Sequence, residues 1–110
     1  MDERERRLTQ NEALFREVNE RVEALALGHG VDAHSYEFLC ECANADCTFR
    51  IALPLSKYEE VRADARRFVI RPLHYTPEIE EVVVKEDEYW IVRKTGEAAE
   101  YVEHLDPRSR

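Results

Sequence analysis

The residues best suited to chemistry are Cys40, Cys42 and Cys47, which are all of the cysteines in the chain. Thiolate sulfur binds zinc, and a structural zinc site uses four thiolate or imidazole ligands in a tetrahedron. The spacing C-x-C-x4-C is not one of the paired C-x2-C patterns typical of zinc sites. We predict a zinc knuckle, with free buried cysteines, a disulfide, and an iron–sulfur or copper site as alternatives. An odd number of cysteines and the expected reducing compartment favour a metal over a disulfide.

A fourth ligand must come from elsewhere in the chain, and the histidines are the main candidates. His29 and His34 lie in a glycine-containing connector, and His104 lies near the C-terminal end. His74 stands between two prolines, which restrict the backbone and reduce the entropy that a ligand loses on binding. We therefore choose His74, with Asp46 as a weaker candidate. Three thiolates and one imidazole would leave no position for water, which predicts a structural site.

The flanking segments predict how the cysteines meet. Residues 35–39 and 48–53 are β-prone, and residues 43–46 resemble a turn, so we expect an antiparallel hairpin. Alternate side chains of a strand point to the same face, so Cys40 and Cys42 can converge and the hairpin can return the third cysteine to them.

Further along, Ser56 and Glu59 match a capping box, which predicts a helix to about residue 67. Residues 68–70 predict a short buried strand that leads to the fourth ligand, and residues 79–84 and 89–94 predict a second hairpin. A short helix should follow at residues 97–105.

These elements indicate an α+β fold with a long N-terminal helix and a small antiparallel sheet of two hairpins. One capped helix lies between the hairpins, and the zinc knuckle lies at a hairpin end. We expect the N-terminal helix to occupy residues 1–30, the zinc-knuckle domain residues 31–105 and a disordered tail residues 106–110.

The N-terminal helix carries a possible interaction seam. Residues 3–27 contain no proline or glycine, and their apolar side chains recur every seven residues, with Asn11 as a polar member of the seam. Such a seam can pair with another helix or pack on the protein's own sheet. We predict a protein partner or self-association through the apolar members of the seam, which are Leu8, Phe15, Val18, Val22 and Leu25.

The composition excludes several classes of function. The net charge of −8 repels phosphate backbones and anionic membrane surfaces, so we expect neither nucleic-acid nor membrane binding. Apolar runs are too short to span a bilayer, and no signal-peptide core follows the charged N-terminus, so we expect a cytoplasmic protein. Phosphate-binding and H-E-x-x-H motifs are missing, and the chain contains three glycines. We therefore expect no enzyme activity.

Several segments carry a resemblance: NEALFREVNER at 11–21, FLCEC at 38–42, CT at 47–48, YEEVRAD at 58–64 and RFV at 67–69. With them the chain resembles a family of short uncharacterised actinobacterial proteins that share a C-x-C-x4-C cluster and a downstream histidine. The resemblance implies a common set of Cys40, Cys42, Cys47 and His74, and it implies no known activity. Relatives carry proline where Ala65 stands and glycine where Leu73 stands.

The function that these features predict is a small non-enzymatic zinc-binding protein, acting as a protein-interaction or regulatory module. The alternative is a thiol–zinc redox switch, in which oxidation of two thiolates expels the ion. Glu41 argues against the switch, because a negative charge beside the thiols raises their pKa and slows oxidation.

Overall fold

A computed structural model describes residues 1–28 and 35–109, and it confirms the predicted α+β class. His29 and His34 lie outside the described residues. The elements in chain order are α1 (Glu3–Gly28), β1 (Ser35–Leu39), β2 (Arg50–Pro54), α2 (Leu55–Arg62), β3 (Arg67–Ile70), β4 (Glu80–Lys85), β5 (Trp90–Lys94), α3 (Gly96–His104) and a 3-10 turn, Pro107–Ser109. None of the helices in the described ranges is both long and apolar enough to cross a membrane.

Both predicted hairpins are present, and they lie in two separate sheets. Strands β1 and β2 pair in antiparallel fashion, with Phe38 opposite Ile51. The second sheet has the order β3-β5-β4, so the short strand β3 joins the second hairpin at its β5 side. Side chains of β1, β2, β3, β5 and α2 supply most of the core, where the Phe38 ring stacks on Tyr58 at 4.3 Å between centroids.

Helix α2 differs from its prediction at both ends. The residue before the helix is Pro54, no side chain caps the first turn, and Ser56 lies inside the helix, so the predicted capping box is wrong. Pro54 is extended (φ −65°, ψ 152°), and the N–H that proline lacks is one of those that a helix start leaves without an intrahelical partner. At the other end, Asp64 Oδ1 accepts a hydrogen bond from the Arg66 N–H (2.8 Å), which favours a turn over further helix.

Helix α1 packs on the domain through a face rich in polar side chains. Its buried residues include Thr9, Glu12, Arg16, Asn19 and Glu23. The Arg16 guanidinium donates hydrogen bonds to two carbonyl oxygens, those of Ala65 (2.6 Å) and Val102 (2.8 Å), and lies over the Phe68 ring. The charge is thus tolerated inside because backbone acceptors and an aromatic face surround it.

The predicted apolar seam of α1 is consequently divided between two environments. Leu8, Phe15 and Val22 are half-buried, whereas Val18 and Leu25 are exposed.

A buried ion triad joins α1 to the second sheet. The Lys94 ammonium contacts the carboxylates of Glu12 and Glu80, and all three side chains are buried. Burial raises the pKa of Glu12 well above its ordinary value, and the neighbouring Glu80 carboxylate adds to the rise while Lys94 opposes it.

Residues 106–109, which the sequence assigned to a tail, form ion pairs with α1 and α2. Asp106 is buried and pairs with the Arg62 guanidinium. Arg108 then binds three carboxylates on α1 and α2, those of Glu20, Glu23 and Glu59. The Asp106 pair is buried and the Glu23 pair is partly buried, whereas the pairs of Arg108 with Glu20 and Glu59 are exposed and contribute less.

Candidate metal centre

Three thiols and one imidazole converge at the end of the first hairpin. The ligand atoms of Cys40, Cys42, Cys47 and His74 all lie within 4.8 Å of one another. His74 Nδ1 lies 3.5 Å from Cys40 Sγ and 3.8 Å from Cys47 Sγ. A tetrahedral zinc ion with ordinary bond lengths places its ligands about 3.5 to 3.8 Å apart. The site therefore has the dimensions of a mononuclear metal centre.

Local backbone structure places the cysteines. Cys40 directly follows β1, and its N–H donates to the Phe49 carbonyl (3.1 Å), which continues the hairpin ladder by one pair. Asn44 begins the connecting turn: its carbonyl accepts from the Cys47 N–H (3.0 Å), and its side-chain oxygen accepts from the Asp46 N–H (3.0 Å). This turn returns the third thiol to the first two, as the sequence predicted.

Glu41 stands between two of the ligands, yet its carboxylate serves the core. It accepts hydrogen bonds from the Asn19 amide (2.9 Å), the Tyr58 hydroxyl (2.8 Å) and the Val69 N–H (3.0 Å). Burial raises the pKa of Glu41, and these hydrogen bonds oppose the rise. Among the described residues, the carboxylate is therefore bonded to donors of the core and to none of the three thiols.

His74 reaches the site from a β-turn that follows β3. The His74 N–H donates to the Arg71 carbonyl (3.1 Å), with Pro72 and Leu73 as the central residues. Leu73 has a φ of 73° and its side chain is 76 % exposed. A type II turn requires positive φ at this position, where glycine is favoured.

Hydrogen bonding and burial set the ionisation of the thiols. The Arg71 N–H donates to Cys40 Sγ (3.2 Å), and the backbones of Asn44 and Phe49 hydrogen-bond Cys42 and Cys47. The hydrogen bond from Cys40 lowers the pKa of Cys42 to about 5, while the same bond raises the pKa of Cys40. Burial raises the pKa of Cys47. The metal-free cluster therefore favours one thiolate, and a dication would be needed to ionise all three.

The other ligand candidates are not part of the cluster. His104 is exposed on α3, and Asp46 is exposed on the connecting turn. Among the described residues, Cys40, Cys42, Cys47 and His74 are the one group of metal-binding side chains that converges.

The rim of the site contains residues that the sequence prediction missed. Phe49 is 52 % exposed, its ring meets the His74 ring edge-on at 5.3 Å, and Arg71 lies over its other side. A pocket of about 230 Å³ opens beside Cys42 and His74. The sequence signal for this rim was the aromatic residue two positions after the last cysteine, which continues the strand toward the histidine.

The fold and the ligand set together define a small α+β protein with a Cys3His candidate metal centre. No protein-family model matches the chain, and no curated protein or solved structure matches it.

Proposed function

We propose that the protein is a zinc-stabilised, non-enzymatic interaction module. The observation that carries the proposal is the convergence of three sulfur atoms and one nitrogen atom within 4.8 Å. Three thiolates with one imidazole form a ligand set that zinc uses in structural sites. The three cysteines are free thiols and so remain available to a metal.

A structural role follows from where the ligands lie. The cysteines belong to the first hairpin and His74 to the turn after β3, which is part of the second sheet. An ion bound to all four would tie these two sheets together. With four protein ligands no coordination position is left for a reacting water, which supports a module without catalysis.

The interaction role is supported by the outer face of α1. Leu14, Val18 and Leu25 are exposed, and their spacing places them on one side of the helix. The half-buried seam residues Leu8, Phe15 and Val22 lie beside them, so a partner helix or a second copy of the chain could cover the exposed members. The acidic net charge supports a cytoplasmic protein partner over a nucleic acid.

Metal content tests the zinc site. Protein purified without added metal should contain one zinc ion per chain by mass spectrometry, and Cys42→Ser should lose it. Asp46→Ala is the matched control and should retain the ion, since Asp46 lies outside the cluster. Chelation should lower the melting temperature of the wild type. Metal-free wild-type protein whose melting temperature is insensitive to chelators would contradict the proposal.

A second candidate is the thiol–zinc redox switch, which the half-burial of Cys47 favours because oxidants can reach it. Peroxide and two protons would convert two thiolates into a disulfide and two waters, and the ion would leave. Mild peroxide followed by a zinc-sensitive dye tests this. Zinc release while the fold persists supports the switch, and release only on global unfolding rejects it.

A further inference from the structure

The four ligands of the candidate centre are held unequally, and this inference rests on the zinc site proposed above. Each cysteine is part of the knuckle or its turn. The Arg71 N–H donates to Cys40 Sγ at 3.2 Å, and the Phe49 backbone hydrogen-bonds Cys47, while Cys42 Sγ donates to the Asn44 carbonyl at 4.0 Å. Such bonds fix the position of a ligating sulfur and offset its charge. The three sulfurs are thus positioned by hydrogen bonds within the knuckle and from the Arg71 backbone.

His74 lacks comparable support. Metal-binding histidines ordinarily donate their second ring N–H to a carboxylate or carbonyl, which fixes the ring. The hydrogen-bond contacts of His74 involve Nδ1, which faces the sulfurs, and within the described residues no protein group bonds to Nε2. The ring is held by the edge contact with Phe49, whose own ring is half exposed.

The turn that presents His74 is also strained. Leu73 adopts a φ of 73°, although it has a branched side chain that points into solvent and gains no packing. Residues other than glycine adopt this conformation at an energetic cost. His74 can stay on the metal only while the turn keeps this conformation, so the cost counts against His74 as a ligand and not against the three sulfurs.

An incoming group has space to replace the imidazole. The pocket of about 230 Å³ is lined by Cys42 and His74 together with Asn44, Leu73 and Tyr75, and it opens to the surface. Arg71 has no acidic partner within the described residues, and its guanidinium lies at the rim over Phe49. The positive charge of Arg71 beside Phe49 favours an incoming ligand that is negatively charged.

We propose that His74 is an exchangeable ligand and that a thiolate from another molecule replaces it on the metal. In the exchange the metal–Nδ1 bond breaks and a metal–sulfur bond forms. The proton of the incoming thiol passes to the released imidazole. The thiol belongs to a small molecule or to a cysteine of a partner protein, and both sources share the same bond to the metal.

Cobalt-substituted protein tests the exchange, because its visible and charge-transfer bands report the number of bound sulfurs. The cobalt protein is titrated with 2-mercaptoethanol and, separately, with the blocked tripeptide Gly-Cys-Gly. We expect a saturable gain in sulfur-to-cobalt absorption while cobalt stays bound. If both probes give this response, a cysteine of a partner protein can supply the thiol. If only 2-mercaptoethanol gives it, the thiol comes from a small molecule.

Two variants sharpen the test. Leu73→Gly relaxes the turn and should raise the half-saturating thiol concentration by about fivefold or more. His74→Ala opens the fourth position and should bind the thiol more tightly than the wild type, which shows that the assay detects the bond. An unchanged wild-type spectrum at thiol concentrations that saturate His74→Ala overturns the exchange, as does extraction of cobalt in place of a new band. A wild-type protein that binds neither cobalt nor zinc would instead refute the metal site itself.

Discussion

Glu41 and Val69 exchange two hydrogen bonds: the Glu41 N–H donates to the Val69 carbonyl (2.8 Å), and the Val69 N–H donates to the Glu41 carboxylate (3.0 Å). Glu41 lies in the cysteine knuckle, and Val69 lies in β3, just before the turn that carries His74. The pair therefore holds the two halves of the metal centre in register without any metal. The same carboxylate also receives hydrogen bonds from α1 and α2.

Replacement of Glu41 by alanine should be among the most destabilising single changes in the domain. It leaves buried donors of Asn19, Tyr58 and Val69 without an acceptor, so we expect a loss of about 3 kcal/mol or more in the free energy of unfolding. Urea denaturation of metal-free protein measures it. Glu41→Gln keeps an oxygen acceptor and should lose less; equal losses in the two variants would contradict the assigned role.

Leu73→Gly should stabilise the protein. Relief of the positive-φ strain outweighs the greater entropy of glycine in the unfolded chain, for a net gain of about 1 kcal/mol. Thermal denaturation of the zinc-loaded protein measures the change. Leu73→Ala is the control, because it removes the exposed side chain and keeps the strain. A gain in the alanine variant equal to that of glycine would place the effect in the side chain and not in the backbone.

Glu23 should make stability depend on pH. Burial raises the pKa of Glu23 to about 7, helped by the Glu59 carboxylate and opposed by Arg108. A raised folded-state pKa means that this contribution to stability is complete below the unfolded value of about 4.5 and is lost as the pH rises through 7. The stability of wild type relative to Glu23→Gln should therefore fall between pH 5 and pH 8, by urea denaturation at each pH. The exposed Glu60→Gln should show no such trend, and a difference that is constant with pH would contradict the prediction.

Lys94 should tolerate replacement poorly. Lys94→Met leaves the buried carboxylates of Glu12 and Glu80 without their cation, and loss of one partner from a buried ion pair costs about 3 to 5 kcal/mol. Lys57 is a useful control because it makes a surface ion pair with Glu60, so Lys57→Met should cost less than about 1 kcal/mol. Guanidinium denaturation compares them. Similar small losses would show that the triad contributes little.

Substitutions on the outer face of α1 should affect association of the protein without affecting its folding. Leu25 is 70 % exposed, so Leu25→Asp should leave the domain folded and zinc-loaded. If two copies meet through this face, the variant should be monomeric where the wild type is a dimer, because an unpaired charge would be buried in the contact. Phe15→Asp, at a half-buried position, should also destabilise the fold. Sedimentation equilibrium decides the matter, and a monomeric wild type would reject self-association.

Local signals in the sequence predicted the order of the helices and strands, although not the bounds of α2, and they predicted the set of candidate ligands. The two-residue spacing of Cys40 and Cys42 and the β-prone runs around them predict a hairpin, because strand geometry depends on neighbouring residues. His74 was chosen among the histidines because neighbouring prolines restrict its backbone, which is also a property of nearby residues. The structure brings together these predicted ligands at distances suited to a metal.

Tertiary structure alone decided which face of α1 is buried and where the charges lie. Periodicity places Leu25 in the apolar seam, yet the fold leaves it exposed, while the charged Glu12 on the same helix is buried. Glu12 is buried because it meets Lys94, which is 82 positions away along the chain. Hydrophobic patterns contain no information about such pairs, since a buried charge is acceptable only when a distant residue supplies its partner. The backbone of Leu73 is a related case: its positive φ is imposed by the turn that must carry His74 to the knuckle, against the preference of leucine itself.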